Sequence, residues 1–224
     1  MNIFKKIKKI FFFLLLSFKG KSICRSYQIY FLKNINLKGK SIDFGTSNIG
    51  DTSYNFVNSS QINFISNKFN VKKNNYIKLD LNKKNFTNMY FNNLIVFNVL
   101  EHVYDIQNSV NELKKLMKKN STIFISTPFI YRFHAAPEDF YRFTKNFWIQ
   151  NLRDNEFRGI KVNNFGTGPF MSCYAMIFDY LKFTVVIPPI LLSIAVFFDL
   201  ILSIFQRTKM SDLYPICIIL EAKK

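Results

Sequence analysis

Two histidines occur in the 224 residues, and the run that begins at the second is dense in groups able to move or hold a proton. It reads His134-Ala-Ala-Pro137-Glu-Asp139-Phe140-Tyr141-Arg142-Phe-Thr144. An unperturbed imidazole titrates near pH ~6.5, which makes His134 the candidate general base. Asp139 either orients that imidazole or binds sugar hydroxyls. Arg142 carries a planar fork of donors suited to a phosphate or carboxylate, and with Tyr141 it forms the candidate substrate-binding pair. A competing reading makes the run a rigid lid in which Asp139 and Arg142 pair with each other. His102 follows a predicted strand and reads first as a packing group rather than a base.

A second cluster of chemically apt residues is Ser41-Ile-Asp43-Phe-Gly45-Thr46-Ser47-Asn-Ile-Gly50. Gly45 permits a tight turn and close backbone approach at the end of a strand, and Asp43 can accept hydrogen bonds from a cationic ligand group. The glycine pattern of nicotinamide dehydrogenases is absent, and no acid ends the second predicted strand, which disfavours that class. Cys24, Cys173 and Cys217 match neither a disulfide framework nor a metal-ligand spacing, and they suit a reducing compartment. Cys173 and Cys217 read as core fillers. The two histidines are not adjacent in sequence, so the expectation is a chain without a metal.

Elements that can position these groups follow from the hydrophobic pattern. Between residues 40 and 165, short apolar runs alternate with helical patterns, the signature of βαβ units and a largely parallel sheet. Strands are predicted at Lys40–Phe44, Gln61–Ser66, Tyr76–Leu79, Leu94–Val99, Thr122–Thr127, Ile160–Phe165 and Tyr214–Leu220. Val110, Leu113, Leu116 and Met117 mark one helix face, with four lysines in its last turns and a break at Asn120-Ser121. Thr144 is the predicted cap of a helix running to Asn151.

The succession Asp43-Phe-Gly45, Leu79-Asp80-Leu81, Asn98-Val-Leu-Glu101-His102-Val and the run from His134 to Thr144 resembles class I S-adenosylmethionine-dependent methyltransferases, in particular the methyltransferase type 11 group. The likeness covers about residues 40 to 165, with Tyr214–Lys224 similar to the final strand. It implies a Rossmann-like, mostly parallel seven-stranded sheet with helices on both faces. A basic N-terminal helix and an apolar helical insertion before the last strand are added to it. Predicted segments are 1–39 (basic arm), 40–168 (methyltransferase-like), 169–210 (insertion) and 211–224 (final strand). The resemblance implies S-adenosylmethionine as cofactor, with Asp43, Gly45 and Thr46 at its methionine end and Asp80 at the adenine amino group. Asn98 would line the pocket through its backbone. Two positions depart from the pattern: Ser47 replaces the second glycine, and Asn67 stands where an acid usually holds the ribose.

Charge is placed unevenly along the chain. The formal net charge is +17, yet residues 1 to 40 hold ten Lys or Arg and no Asp or Glu. Hydrophobic residues at 49% exclude global disorder, and seven Gly with six Pro exclude collagen-like chains. In the opening MNIFKKIKKIFFFLLLSF, lysines interleave with apolar residues at helical spacing, and the apolar run is far short of the ~20 residues that span a bilayer. A cleaved signal peptide lacks its small-residue cleavage site. Two readings stay open: an amphipathic helix on an anionic membrane, or a helix packed on the domain. Residues 183–206 are long enough to cross a membrane, but Pro188-Pro189 interrupt a helix there and Asp199 is costly in lipid. A broken helical hairpin, in the interface or packed on the domain, is expected.

The leading expectation is methyl transfer to a small-molecule, glycan or lipid-linked acceptor by a cytoplasmic enzyme peripheral on the inner membrane face. A degenerate scaffold of a membrane assembly is the alternative. An RNA methyltransferase is less favoured, because lysines set in an apolar block suit lipid better than a phosphate backbone.

Overall fold

The computed structural model describes residues 3–33, 35–45, 64–67, 76–84, 88–135 and 138–224. Its elements in chain order are α1 (Ile3–Phe18), α2 (Ile23–Leu32), β1 (Ser41–Phe44), β2 (Phe64–Asn67), β3 (Tyr76–Lys78) and β4 (Phe91–Phe97). A 3-10 turn at Leu100–His102 leads to α3 (Ile106–Lys115), β5 (Met117–Pro128), α4 (Lys145–Asp154) and β6 (Arg158–Phe165). The chain ends in α5 (Pro169–Leu181), α6 (Ile187–Phe205), α7 (Met210–Leu213) and β7 (Cys217–Lys223).

The strands form one sheet of order β3-β2-β1-β4-β5-β7-β6. β1 pairs in parallel with β2 and β4, β2 with β3, and β4 with β5. β7 runs the other way against β5: Asn120 meets Lys224 at one end of the pair, and Phe129 meets Ile216 at the other. The sheet is therefore mixed. β4 is buried along nearly its whole length, which explains its apolar run Leu94–Phe97.

Two compact units are distinguished by their internal contacts. One comprises Met1–Gln28, Phe129–Arg132 and Asn164–Cys217, and the other Ile29–Pro128, Phe133–Asn163 and Ile218–Lys224. The second unit holds the parallel strands, and its core includes Ile42, Leu94, Ile95, Leu113, Ile123 and Trp148. The Trp148 indole N–H, buried there, donates to the Thr127 hydroxyl at 3.1 Å.

Several boundaries differ from the sequence expectation. β4 starts at Phe91 and stops at Phe97, before Asn98 turns the chain at φ 55. β5 begins at Met117, directly after α3, so Lys118 and Lys119 lie on the strand rather than near the helix dipole. Asn120-Ser121 do not end the helix. They form an irregularity inside β5, where Asn120 adopts φ 61, a conformation asparagine tolerates better than most residues. Thr144 caps α4 by accepting from the Phe147 N–H at 3.2 Å. Before the last strand, residues 210–213 are helical. Cys173 is exposed, not a core filler, because it lies on the outer face of α5, whereas Cys217 is buried.

Within the first unit, Pro188 and Pro189 do not break a helix. They begin α6, where the missing N–H groups would have had no intrahelical partner anyway. Asp199 is buried and accepts from the Thr167 hydroxyl at 2.6 Å and from the Phe170 and Met171 N–H groups at 3.0 Å each. It thus caps α5 from the middle of α6. Gly168 makes that approach possible, since a Cβ there would lie 2.5 Å from the carboxylate. Asp199→Ala strands the buried Met171 N–H and the part-buried Phe170 N–H, and we expect it to cost about 2–4 kcal/mol in a urea titration. Asp199→Asn, which keeps an acceptor oxygen, should cost less.

Candidate active site

The carboxyl ends of β1 and β4 lie side by side. Asp43 pairs with Ile95 and Phe44 with Val96, which brings the turn at Gly45 against the Asn98-Val99 tip. Gly45 has φ +82, and a Cβ there would fall 2.7 Å from a Val99 methyl. Only glycine lets the two tips approach this closely. Asn98 donates its N–H to the Ser126 carbonyl at 2.9 Å, which fastens the β4 tip to β5. Asp43 is fully buried at the end of β1.

Asp80 follows β3 and accepts from the Asn82 N–H at 3.0 Å, closing a tight turn. That turn is tethered to the loop after β4 and to the first turn of α3. Ser109 Oγ and Asn108 Nδ2 donate to the Leu81 carbonyl at 3.0 and 3.2 Å, and Asn82 Oδ1 accepts from the Tyr104 N–H at 3.1 Å. The backbone of Asn67 pairs with Lys78 at the end of β2. Thr46 and Ser47 lie outside the described residues.

A second group gathers beside the 3-10 turn. The Phe140 N–H donates to the Glu101 carbonyl at 2.8 Å, and Tyr141 Oη donates to the Tyr104 carbonyl at 2.8 Å. These bonds staple the 138–142 segment onto the turn that follows β4. His102 Nδ1 lies 2.5 Å from the Glu138 carbonyl. The rings of His102 and His134 are 4.9 Å apart, crossed at 74°. Glu101 is fully buried, with a carboxylate oxygen 3.8 Å from His102 Nε2.

Asp139 sits beneath His134. It accepts the His134 backbone N–H at 2.9 Å, and its Oδ2 is 3.4 Å from His134 Nδ1. Arg142 grips the same carboxylate with both terminal nitrogens, at 2.5 and 2.6 Å. The Arg142 guanidinium, and after it the His134 N–H, hold the Asp139 carboxyl down at about 2. Arg142 therefore does not present its fork to an incoming anion. It is committed to Asp139, because that carboxylate is almost wholly shielded from water and needs a charged partner.

Tyr141 and Arg142 both line an open cavity of about 660 Å³, together with Tyr104, Phe143 and Phe147. The Phe143 ring stacks between Tyr141 and Phe147, with centroids 5.1 and 4.8 Å away. Sequence reasoning missed Glu101 and gave His102 a packing role. The Glu-His pair next to a strand end was the available signal, but nothing in the sequence placed it against His134. Tyr104 and Phe147 carried no sequence signal beyond being aromatic.

No protein-family model matches the sequence, and no curated protein matches it. Solved structures do. A possible histamine N-methyltransferase from Thermotoga maritima superposes with a TM-score of 0.57 at 10% identity, covering 93% of this chain and 92% of that one. A SAM-dependent methyltransferase from Archaeoglobus fulgidus gives 0.51 at 14% identity, covering 88% and 90%. The phosphoethanolamine N-methyltransferase 2 of Haemonchus contortus, solved with S-adenosylmethionine, gives 0.55 at 10% identity; the match covers 88% of this chain and 52% of that chain. Strand order, the paired tips of β1 and β4, and these superpositions together identify the class I S-adenosylmethionine-dependent methyltransferase fold.

Proposed function

We propose that the protein is a methyltransferase of the type 11 group. It transfers a methyl group from S-adenosylmethionine to a small-molecule, glycan or lipid-linked acceptor at the cytoplasmic face of a membrane. One observation carries the reading: the abutting β1 and β4 tips share a unit with the Glu101, His102 and His134 cluster that follows β4. The residues present fit the cofactor. The Gly45 turn leaves backbone beside Val99, and Asp80 lies in a turn bonded to the same loops. Asp43, Gly45 and Thr46 are assigned to the methionine end, with Ser47 continuing that loop. Asn67 is assigned to the ribose, Asp80 to the adenine, and Asn98 to the pocket wall.

The bound cofactor supplies a methyl group already electrophilic on its sulfonium. What remains for the chain is to align the acceptor and take its proton. His134 is the proton acceptor, oriented by Asp139, which Arg142 holds in place. Tyr141, with Tyr104 and Phe147, offers an aromatic wall on which a sugar face can rest.

Isothermal calorimetry with S-adenosylmethionine tests the assignment. The intact protein should bind, and Gly45→Ala should weaken binding at least about tenfold, since a left-handed backbone and a collision with Val99 act together. No binding up to millimolar cofactor defeats the reading. It would favour instead a non-enzymatic scaffold, the alternative motivated by Ser47 and Asn67.

Membrane association rests on the first unit. α1 packs on α6, with Phe13 and Leu16 buried. Phe4, Ile7, Phe11, Leu15 and Phe18 form an exposed apolar stripe on α1. α6 is apolar and long enough to cross a bilayer by length and composition, yet β6 and β7, hydrogen-bonded through Phe165 and Ile216, flank the insertion. The thirteen residues of α5 reach only about 20 Å, too short for a return crossing, so contact along the interface is the reading we adopt. Lysines 8, 19 and 21 on and beside α1 suit anionic headgroups. The protein should cosediment with vesicles containing anionic lipid, less so as salt rises. Exchanging Ile204 and Phe205 for serine, which are 77% and 78% exposed, should weaken that binding about tenfold. Equal binding to RNA and none to vesicles would overturn this part.

A further inference from the structure

We propose that Glu101, His102 and His134 form a binding site for a divalent transition-metal ion of the zinc or cobalt type. The two histidines come from different loops, one after β4 and one after β5, and their separation in sequence argued against any metal. The fold brings them together. One nitrogen of each ring and one carboxylate oxygen of Glu101 lie within 4.8 Å of one another. Two imidazoles and a carboxylate are the protein ligands of many catalytic zinc sites, which keep a further position open.

The spacing is close to what an ion requires. Zinc holds such ligands at roughly 2.0–2.2 Å, which places tetrahedral neighbours about 3.5 Å apart. His102 Nε2 and Glu101 Oε1 are already at 3.8 Å. A dication is also drawn strongly to a carboxylate screened from water, and the Glu101 side chain is wholly buried.

The surroundings carry the inference further than the three ligands alone. A metal-bound imidazole normally donates its other N–H to a carbonyl or carboxylate, which fixes the tautomer and aims the ligating nitrogen. His102 has such an acceptor here, and a carboxylate stands close to His134 Nδ1 without a hydrogen bond between them. His102 Nδ1 is 2.5 Å from the Glu138 carbonyl, which leaves the Nε2 lone pair directed at Glu101. His134 Nδ1 is 3.4 Å from Asp139 Oδ2, and Arg142 pins that carboxylate.

This inference concerns the same residues as the proposed methyl transfer and rests on that reading only for its consequence. A His134 nitrogen that holds the ion cannot at the same time accept a proton. Metal loading therefore switches off proton acceptance, and zinc acts as an inhibitor.

The test is calorimetry of the full chain, stripped with a chelator, with zinc chloride in the absence of S-adenosylmethionine. A Cys173→Ser background removes the exposed thiol as a rival ligand. Cobalt substitution, read by its visible absorption, reports the coordination. We expect one ion per chain, with affinity reduced at least about a hundredfold in His102→Ala and in His134→Ala, and roughly 10–100-fold in Asp139→Asn. Retained S-adenosylmethionine binding certifies that each variant is folded. Cofactor binding without zinc uptake, or zinc affinity in both histidine variants equal to that of the intact chain, overturns the metal site and leaves methyl transfer standing. Zinc uptake without cofactor binding does the reverse.

Discussion

His134→Ala should lower kcat by about 10²- to 10⁴-fold while leaving S-adenosylmethionine affinity unchanged. The size follows from removing the one group assigned to accept the acceptor's proton. The selectivity follows from the assignment of cofactor contacts to the Asp43–Gly45 turn and to Asp80, which His134 does not build. The remaining imidazole, His102, is no substitute, since its Nδ1 is engaged by the Glu138 carbonyl and its Nε2 faces Glu101. Single-turnover kinetics on an accepted substrate, run from pH 5 to 9, gives the reading. The intact protein should show a rate that rises with pH over this range, and the variant should lack that rise. A variant that keeps both kcat and the rise removes His134 from the chemistry.

The second large effect is on stability. Arg142→Ala leaves Asp139 in place, almost wholly shielded from water and with its bidentate partner gone. Breaking one side of such a pair costs about 3–5 kcal/mol, more than removing both sides together, because an uncompensated charge remains buried. Urea titration of Arg142→Ala, Asp139→Ala and the double variant should show the double costing clearly less than the sum. Additive losses would mean the pair contributes nothing as a pair. Arg142→Lys should rescue only in part, since a single ammonium cannot reproduce the fork.

The same pair predicts a pH dependence of definite sign. The Asp139 carboxyl is held at about 2 in the folded protein, below the ordinary aspartate value near 3.9. A carboxyl depressed on folding adds stability above its unfolded value, and that stability is lost as pH falls through the folded one. Asp139 should therefore contribute about 2 kcal/mol at neutral pH. The contribution should fade between pH ~4 and ~2 and vanish in Asp139→Asn.

Much of the parallel half of the fold was legible in the sequence, because a buried strand must be apolar and a glycine at its end must turn. Ile42, Phe44 and the run Leu94–Phe97 announced β1 and β4 in this way, and Thr144 announced the cap of α4. The irregular stretch at Asn120 was misread for an equally physical reason. Asparagine suits a left-handed backbone both at a helix end and inside a distorted strand, and only pairing with β4 and β7 selects the second. The capping role of Asp199 was not legible for a similar reason, since a lone acid in an apolar segment shows its partners only once it meets the N-terminus of α5.

The candidate site divides along that line. Residue order alone determined that Asp43, Gly45, Asp80 and Asn98 fall at strand ends, because local propensity and short-range turns decide where a strand stops. It also determined that His134 has Asp139 and Arg142 near it along the chain. Tertiary structure alone decided that Arg142 grips the Asp139 carboxylate with both terminal nitrogens, and that Glu101, His102 and His134 meet. Contacts between loops on separate strands depend on sheet register, which no single segment encodes.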